Sequence, residues 1–320
     1  MQAEVILKQL GELWKNLAEP SHGPSTESGV LRACAMTLIV AAEDSADAIA
    51  AGEVLAELMH EHPSRAIVLK PSETGEMDAR VFAQCWMPFG RRQQICCEQI
   101  EISAAPERMG DVPPLMLGLL APDLPVVLWC RGERWLGQPH FEQLLPLVGK
   151  LIVDSTRFAD PRKAFEYAGV LRQRGRRVAD LTWARLTGWR EIIAQTFDIP
   201  AVLAIAGDIK EIQIGHAGEK PTPSVFYLAA WLQRALPSAE IRLASVPGEG
   251  TGVRTVNLGE LDFRSGEGLT ILVTTSAGVH TSVLPICGDY AAMREELSIT
   301  RPDSIFEEVF PIAAKLIQNS

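Results

Sequence analysis

The sequence lacks any apolar run approaching the roughly 18 residues that a helix needs to cross a bilayer. Its first residues include Glu4, Lys8 and Glu12, so the N-terminus does not resemble a secretory signal peptide. None of the six cysteines is spaced as Cys-x-x-Cys, which argues against a zinc knuckle or a thioredoxin-type motif. We therefore expect a soluble cytoplasmic protein with reduced thiols.

Sequences that mark common catalytic sites are also missing. There is no Walker A loop and no Gly-x-Ser-x-Gly nucleophile elbow. Residues 247–252 contain a Gly-x-Gly pattern, but a strand is predicted after it, so a hairpin loop is the better interpretation. The histidines are isolated or, like His60 and His62, two residues apart, which does not suit a helical metal site. We expect no catalytic residue, cofactor or metal, and hence no enzyme.

The charge balance is acidic, because 40 Asp and Glu residues face 30 Lys and Arg residues. A formal net charge of −10 lacks the positive field that holds nucleic acid or an anionic membrane, so neither is an expected partner. One basic cluster differs from this balance: Arg172, Arg174, Arg176 and Arg177. It could bind phosphate or an acidic partner, although a solvated helix end is the simpler interpretation.

Hydrophobic patterning predicts an α/β fold that becomes α+β in its second half, with a mixed β-sheet layered with helices and two domains. Residues 1–29 are predicted as an amphipathic helix over 4–17 and a linker over 18–28, and the helix is expected to dock on its own domain. The α/β domain is predicted over 30–199 and the α+β domain over 200–320.

The elements follow from apolar runs and their periods. The predicted strands are 31–42, 65–69, 79–86, 94–102, 125–130, 151–153, 200–206, 208–215, 240–246, 253–258, 269–275 and 279–285. The further predicted helices are 45–61, 109–120, 161–174, 180–197, 223–235, 289–297 and 303–317.

Tryptophan and arginine residues form the candidate partner-binding set, because these two types dominate interface hot spots. The set comprises Trp129, Arg131, Trp183, Arg185, Trp189 and Arg190. For the tryptophans, core packing and partner contact are equally good interpretations. Arg185 and Arg190 are expected at a surface or an interface, because a buried arginine needs a paired charge.

A second candidate is a ligand pocket at strand ends. Asp154 and Ser155 follow a short predicted strand, and Arg131 follows its neighbour. The carboxyl ends of parallel strands are where α/β proteins place ligands, so a sugar phosphate or nucleotide is the alternative ligand. Asp and Ser are also ordinary capping residues at such turns, so a purely structural role for Asp154 and Ser155 is the alternative interpretation.

The cysteines allow a third hypothesis, a redox-sensing adaptor. Cys96 and Cys97 are adjacent on a predicted strand, so their side chains point to opposite faces and two half-buried thiols are expected. A redox adaptor would need another pair whose Cα atoms lie within about 7 Å.

Five segments together resemble one known family. They are 62–65 (HPSR), 94–100 (QICCEQI), 123–129 (DLPVVLW), 151–155 (LIVDS) and 180–191 (DLTWARLTGWRE), and they cover about residues 30–197. In this order they resemble the glucose-6-phosphate dehydrogenase assembly protein family (OpcA). The region after 200 resembles the family only in general layout.

The resemblance implies a role that composition does not show. Members of this family are needed for full activity of bacterial glucose-6-phosphate dehydrogenase, and they are thought to bind it, assist its assembly and activate it allosterically. In photosynthetic members this is linked to thiol redox state. The family has no established catalytic residues. The resemblance therefore implies a non-catalytic binding protein of the pentose phosphate pathway.

Overall fold

The computed structural model describes residues 1–18, 30–73, 75–88, 94–248, 250–266, 269–285 and 287–320. The predicted linker therefore lies almost wholly outside the described residues. The chain forms two compact units. Unit 1 comprises Met1–Arg157 and Leu171–Ala179, and unit 2 comprises Phe158–Val170 and Asp180–Ser320. Among the described residues, every helix falls short of the length and apolar character that a bilayer span requires.

An eight-stranded sheet forms the centre of unit 1. Its strands are β1 (Val30–Arg32), β2 (Met36–Ala41), β3 (Ser64–Pro71), β4 (Asp78–Trp86), β5 (Gln94–Ala104), β6 (Val126–Cys130), β7 (Lys150–Val153) and β8 (Val178–Asp180). The order is β1-β5-β3-β2-β6-β7-β8, and β4 joins β5 antiparallel. From β5 to β8 this is the 3-2-1-4-5-6 order of a doubly wound nucleotide-binding sheet.

Helices connect these strands and flank the sheet. They are α1 (Ala3–Ala18), α2 (Ser45–Leu58), α3 (Val112–Leu119) and α4 (Pro139–Leu144). The next helix, α5 (Pro161–Gln173), lies mostly in unit 2. The apolar face of α1 packs on β4 and α3 and buries Ile6 and Leu10, so this helix docks on its own unit.

A buried ion cluster around Glu98 holds several of these elements together. The Glu98 carboxylate accepts hydrogen bonds from Trp14 Nε1 at 3.0 Å, Arg32 Nη2 at 2.8 Å and Arg65 Nε. Arg65 Nη1 also donates to the Leu119 carbonyl at 2.6 Å. Burial alone would raise the pKa of Glu98, but these donors lower it below its ordinary value. The carboxylate therefore stays charged and joins α1, β1 and β3 to β5, and Arg65 extends this link to α3.

A six-stranded sheet forms one layer of unit 2. Its strands are β9 (Glu211–Ala217), β10 (Glu240–Ser245), β11 (Gly252–Leu258), β12 (Leu261–Ser265), β13 (Thr270–Thr275) and β14 (Gly278–Val283). The order is β10-β9-β11-β12-β13-β14, with β9 and β10 parallel and the other pairs antiparallel. The helices are α6 (Leu181–Arg185), α7 (Thr187–Thr196), α8 (Pro200–Ile205), α9 (Pro223–Ala235), α10 (Asp289–Ser298) and α11 (Ser304–Gln318).

These elements confirm the predicted fold class, with two sheets layered with helices. The chain passes from one compact unit to the other between residues 158 and 180. The predicted division into a helix with a linker (1–29), an α/β domain (30–199) and an α+β domain (200–320) stays a prediction.

Several predicted elements were wrong in detail. Residues 200–206 form α8 and not a strand, because Pro200 occupies the first helical turn, where a missing N–H is tolerated. Residues 31–42 form two strands, because the chain changes its pairing partner between them. The Ala33 N–H still bonds to the Cys96 carbonyl of β5, whereas the Ala35 N–H bonds to the Pro63 carbonyl, directly before β3. The short strands β8 and β12 were missed.

One disulfide corrects the expectation that the cysteines are reduced. Cys85 in β4 lies directly opposite Cys96 in β5, the two Cα atoms are 4.0 Å apart, and the sulfurs are bonded. The spacing along the sequence does not reveal this pairing, because the register of the two strands creates it. Cys97 stays a buried thiol whose pKa is raised by burial to about 11. The pair meets the distance condition stated for a redox adaptor.

Reduction of this disulfide should destabilise unit 1. The bridge closes a loop with a sequence separation of 11 residues, and constraining such a loop in the unfolded chain contributes about 2.8 kcal/mol. Cys85 is exposed, so a reductant in solution can reach it. We expect dithiothreitol to lower the melting temperature of the chain, as followed by circular dichroism.

The double variant Cys85→Ala with Cys96→Ala is the control. Its melting temperature should be low from the start and should not change with reductant. An equal response of the variant and the unmodified chain would contradict a contribution from this bridge.

Candidate functional site

The carboxyl ends of β2 and β6 are the point at which a doubly wound sheet binds its ligand. The chain leaves β2 through Ala42, Glu43 and Asp44, and Asp44 caps α2 by accepting a hydrogen bond from the Asp47 N–H at 2.8 Å. This turn contains no glycine, whereas a dinucleotide site needs glycines so that the backbone can approach the pyrophosphate. It also brings carboxylates to the place where phosphates would lie.

Arg131 pairs with one of these carboxylates, Asp47, from the end of β6. Its side chain is fully buried, its Nε donates to Asp47 Oδ1 at 2.8 Å, and its guanidinium lies 4.3 Å from the centre of the Trp129 ring. Arg157 Nη1 donates to the same Asp47 oxygen at 2.7 Å. Burial opposes the charge on Asp47, but the two arginines lower its pKa below the ordinary value.

Asp154 and Ser155 lie at the end of β7, beside the same cluster. Asp154 Oδ2 is 3.5 Å from Arg157 Nε, and its Oδ1 accepts a hydrogen bond from Thr156 Oγ1 at 2.6 Å. Arg157 thus links Asp154 to Asp47 and, through it, to Arg131. The three residues of the predicted ligand pocket do meet at one edge of the sheet, but protein charges occupy that edge.

Two further contacts close this edge. A side chain at Gly132 would collide with Glu43, since an added Cβ would lie 2.3 Å from Glu43 Oε1. Trp135 Nε1 donates to the Ala42 carbonyl at 2.9 Å. Glu43 and Trp135 therefore pack over the end of β2, and burial raises the pKa of Glu43. Arg131, a candidate partner-binding residue, is buried, and Asp47 supplies the paired charge that a buried arginine needs.

The remaining candidates lie in unit 2, where Trp183 belongs to an aromatic core. Its ring centre is 6.1 Å from that of Tyr227 and 5.8 Å from that of Phe306. Phe165 and Phe310 complete the cluster and stack 5.6 Å apart. Trp183 Nε1 donates to Asp303 Oδ2 at 2.9 Å. Trp129, Trp183 and Trp189 are all buried, which favours core packing over partner contact for the three tryptophans.

The two arginines of this segment are half-buried and tied to the same core. The Arg190 guanidinium lies 3.6 Å from the centre of the Trp183 ring, and its Nη2 donates to Thr187 Oγ1 at 2.7 Å. Burial lowers the pKa of Arg190. Arg185 Nη2 pairs with Asp289 Oδ1 at 2.7 Å. Thus α6 and α7 are fixed by their arginines rather than presenting them freely.

A half-open cleft of about 540 Å³ adjoins this segment within unit 2. Its lining residues are Thr187, Gly188, Glu191, Pro285, Cys287, Ala291, Arg294, Glu295, Ser298 and Ile299. Glu191 and Arg294 are exposed at the cleft, whereas Glu295 accepts a hydrogen bond from Thr187 Oγ1 at 2.6 Å. The cleft therefore offers both signs of charge to a ligand or partner.

In the arginine cluster at the end of α5, Arg172 and Arg177 are half-buried and the other two arginines are exposed. Arg174 is 64% exposed and its Nη1 lies 3.8 Å from Glu142, while Arg176 is also exposed. Such separated, exposed charges form weak pairs. In the described parts of the chain, no three His, Cys, Asp or Glu side chains are grouped so that they could hold a metal ion.

Comparison with known families accounts for most of the chain. The model of the glucose-6-phosphate dehydrogenase subunit N-terminal domain matches residues 55–169, and that of the C-terminal domain of the same subunit matches 176–310. The chain belongs to the OpcA family. Its family domains cover parts of both compact units, so the resemblance carried by the five segments before residue 200 extends through the second half.

Curated relatives agree with this assignment. Proteins provisionally named OxPP cycle protein OpcA are 29% identical over 258 residues in Nostoc punctiforme and 24% identical over 286 residues in Synechococcus elongatus. These alignments cover 78% and 88% of this chain, but 52% and 58% of the relatives. A Synechocystis relative is 26% identical over 58% of this chain and 40% of its own length. The chain thus spans about half the length of the OpcA relatives it matches.

Solved structures of oxidoreductases resemble the OpcA chain only distantly. Biliverdin reductase from Synechocystis gives a TM-score of 0.49 at 8% identity, over 89% of this chain and 98% of its own. A 3-ketoreductase from Actinomadura kijaniata gives 0.48 at 11% identity, over 91% and 96%. Similarity at this level carries no argument about activity.

Sequence reasoning missed the residues that organise the closed edge. Asp47 and Arg157 were not singled out, although they bind Arg131 and Asp154 respectively. A signal existed for Asp47, because it lies in the first turn of the predicted 45–61 helix, directly after the central strand. For Arg157 there was none, since it lies in a short turn after β7.

Proposed function

We propose that this chain is a non-catalytic partner of glucose-6-phosphate dehydrogenase that binds the enzyme, assists its assembly and activates it allosterically. The matches of both family domains, over 55–169 and 176–310, are the observation that carries the proposal. The relatives are named for the OxPP cycle, and we place this chain in the same oxidative pentose phosphate pathway. We also propose the cytoplasm as its compartment.

The closed sheet edge in unit 1 supports a non-catalytic role. A nucleotide phosphate at the end of β2 would face Glu43 and Asp47, and like charges in such a site repel. Releasing Arg131 to bind the phosphate would leave Asp47 with one partner fewer in a half-buried place. The alternative function, a sugar-phosphate or nucleotide site at Arg131, Asp154 and Ser155, is therefore less well supported.

Activation requires a surface that distinguishes two states of the enzyme. A partner shifts an equilibrium only by its difference in affinity for the two states, and a shift from mostly inactive to mostly active takes about 5 kcal/mol. We propose the unit 2 cleft between Glu191 and Arg294 as the contact surface. Its exposed charges and its volume of about 540 Å³ can accept several side chains of the enzyme.

The test is a titration of the purified chain into the dehydrogenase of the same organism. NADPH production is followed at subsaturating glucose 6-phosphate, with and without dithiothreitol. We expect a saturable rise in rate while the chain alone is inactive. A flat titration under both conditions would overturn the proposed function. Binding of glucose 6-phosphate or NADP⁺ to the chain alone, measured by calorimetry, would move the alternative to first place.

A charge reversal tests the contact surface separately. Glu191→Lys should raise the chain concentration needed for half-maximal activation by about tenfold. The reason is that a lysine at this position would repel a positive group of the enzyme that contacts Glu191 in the proposed interface. Glu260→Lys carries the same change on an exposed turn of unit 2 and should leave the titration unchanged. If the unmodified chain activates and both variants match it, the contact surface lies elsewhere and the function stands.

A further inference from the structure

The outermost strand of the unit 2 sheet, β14, is exposed on both faces. Five of its six residues are exposed, and Val279 and Val283 expose 61% and 75% of their surface. In β13, by contrast, Ile271, Val273 and Thr275 are buried. Among the described residues, β14 pairs with β13 on one side, and no strand lies along the other edge of β14. Thus the protein core covers one face of β13 but leaves both faces of β14 exposed.

The register shows which backbone groups point to that open edge. The Leu284 N–H donates to the Leu269 carbonyl at 2.8 Å, and the ladder continues without a shift through Val283 opposite Thr270. Antiparallel residue pairs alternate between bonded and non-bonded, so Ser282 and His280 exchange their hydrogen bonds with β13. The N–H and C=O groups of Val279, Thr281 and Val283 therefore point away from β13.

This edge carries none of the features that usually prevent strand pairing. Exposed edges are normally interrupted by lysine, proline, inward charges or a bulge. The sequence of β14 is Gly-Val-His-Thr-Ser-Val, without Lys, Arg, Asp, Glu or Pro, and its pairing with β13 is regular. An uncharged strand in a chain with a net charge of −10 is a suitable place for two copies to meet.

We propose that β14 pairs antiparallel with β14 of a second copy, about a two-fold axis at Thr281. In this register Thr281 opposes Thr281 of the partner, and Val279 opposes Val283. All three residues direct their backbone groups to the shared edge, so each can donate and accept one hydrogen bond. The two sheets become one continuous sheet, and the interface is isologous, as most dimer interfaces are.

The side chains favour this self-pairing over other registers. Val279, Thr281 and Val283 share one face because side chains alternate along a strand. The two-fold register sets valine against valine and threonine against threonine, both favourable cross-strand pairs. Leu272, which is 38% exposed and opposes Thr281 across the β13–β14 ladder, extends the apolar contact on that face. The inference rests on unit 2 alone and does not depend on the proposed function.

The experiment is sedimentation velocity of the full chain between about 1 and 100 μM, where a dimer of micromolar affinity changes its population. The unmodified chain should shift from monomer to dimer. Val279→Lys with Val283→Lys places lysine opposite lysine in both pairs and should weaken the dimer by at least about tenfold. Val279→Lys with Val283→Glu places lysine opposite glutamate in both pairs and should restore it.

The restoring variant makes the register itself testable. Both double variants change the same exposed positions, so a failure to fold would affect them alike, and circular dichroism checks this. A chain that stays monomeric at about 100 μM would overturn the proposal. So would a dimer that survives in the lysine–lysine variant, since the contact would then lie elsewhere. A lysine–glutamate variant no better than the lysine–lysine variant would overturn the two-fold register.

Discussion

Replacing Arg131 with alanine should lower the free energy of unfolding by about 3–5 kcal/mol, because it leaves a carboxylate in a closed site without its main partner. Arg131 is fully buried, donates to Asp47 at 2.8 Å and stacks 4.3 Å from the Trp129 ring. Arg157 is one-third exposed and replaces only part of this interaction. Urea unfolding followed by tryptophan fluorescence and circular dichroism measures the loss.

The matched control for Arg131 is Arg80→Ala. Arg80 pairs with Asp78 at 3.5 Å, and the side chains are 72% and 62% exposed, so the expected loss is within about 0.5 kcal/mol. A loss of less than about 1 kcal/mol for Arg131→Ala would show that the cluster does not stabilise the fold. If stability were kept and the variant lost binding of a phosphate ligand, the sheet edge would be a ligand site.

Replacing Trp183 with alanine should cost about 3–5 kcal/mol of stability, as expected for removal of a buried aromatic ring. Trp183 is 2% exposed, contacts Tyr227 and Phe306, and carries the Arg190 guanidinium on its ring. Trp183→Phe keeps part of the ring contact but loses the hydrogen bond to Asp303, so about 1–2 kcal/mol should be lost. Urea unfolding of both variants gives the two values.

The stability and the activating effect of the Trp183→Ala variant also distinguish core packing from partner contact. A packing residue loses stability on truncation, and any loss of enzyme activation follows from unfolding. If Trp183→Ala kept the stability of the unmodified chain and abolished activation of the dehydrogenase, the residue would be an interface hot spot that becomes exposed on binding. Activation assays at a temperature well below the melting point of the variant distinguish the two outcomes.

Much of the fold could be predicted because it depends on local patterns. Apolar runs located β3, β6 and β7, and helical spacing located α1, α9 and α11. The strand at 200–206 failed because a short apolar run fits a strand or a helix equally well, and Pro200 decided for the helix. The Cys85–Cys96 bridge depends on the register of β4 and β5, which residue spacing alone does not give.

The candidate site was predicted only as far as strand ends define it. Arg131 and Asp154 lie near each other because both follow parallel strands of one sheet. The charge pairing of these two residues depends on Asp47 and Arg157, which come from a helix and a turn about 110 residues apart in sequence. Such long-range pairs leave no local pattern. Burial of Arg131 therefore could not be predicted, and its paired charge was found only in the folded chain.

The path of the chain between the two units limits how the protein can be divided. Residues 158–170 belong to unit 2, and residues 171–179 return to unit 1 before the chain enters unit 2 again. A single cut therefore takes either β8 residues from unit 1 or Phe165, a member of the aromatic core, from unit 2. Fragments that each contain a whole unit must overlap over 158–179. By the same reasoning, recombination between relatives at any one point in this stretch would exchange parts of both units.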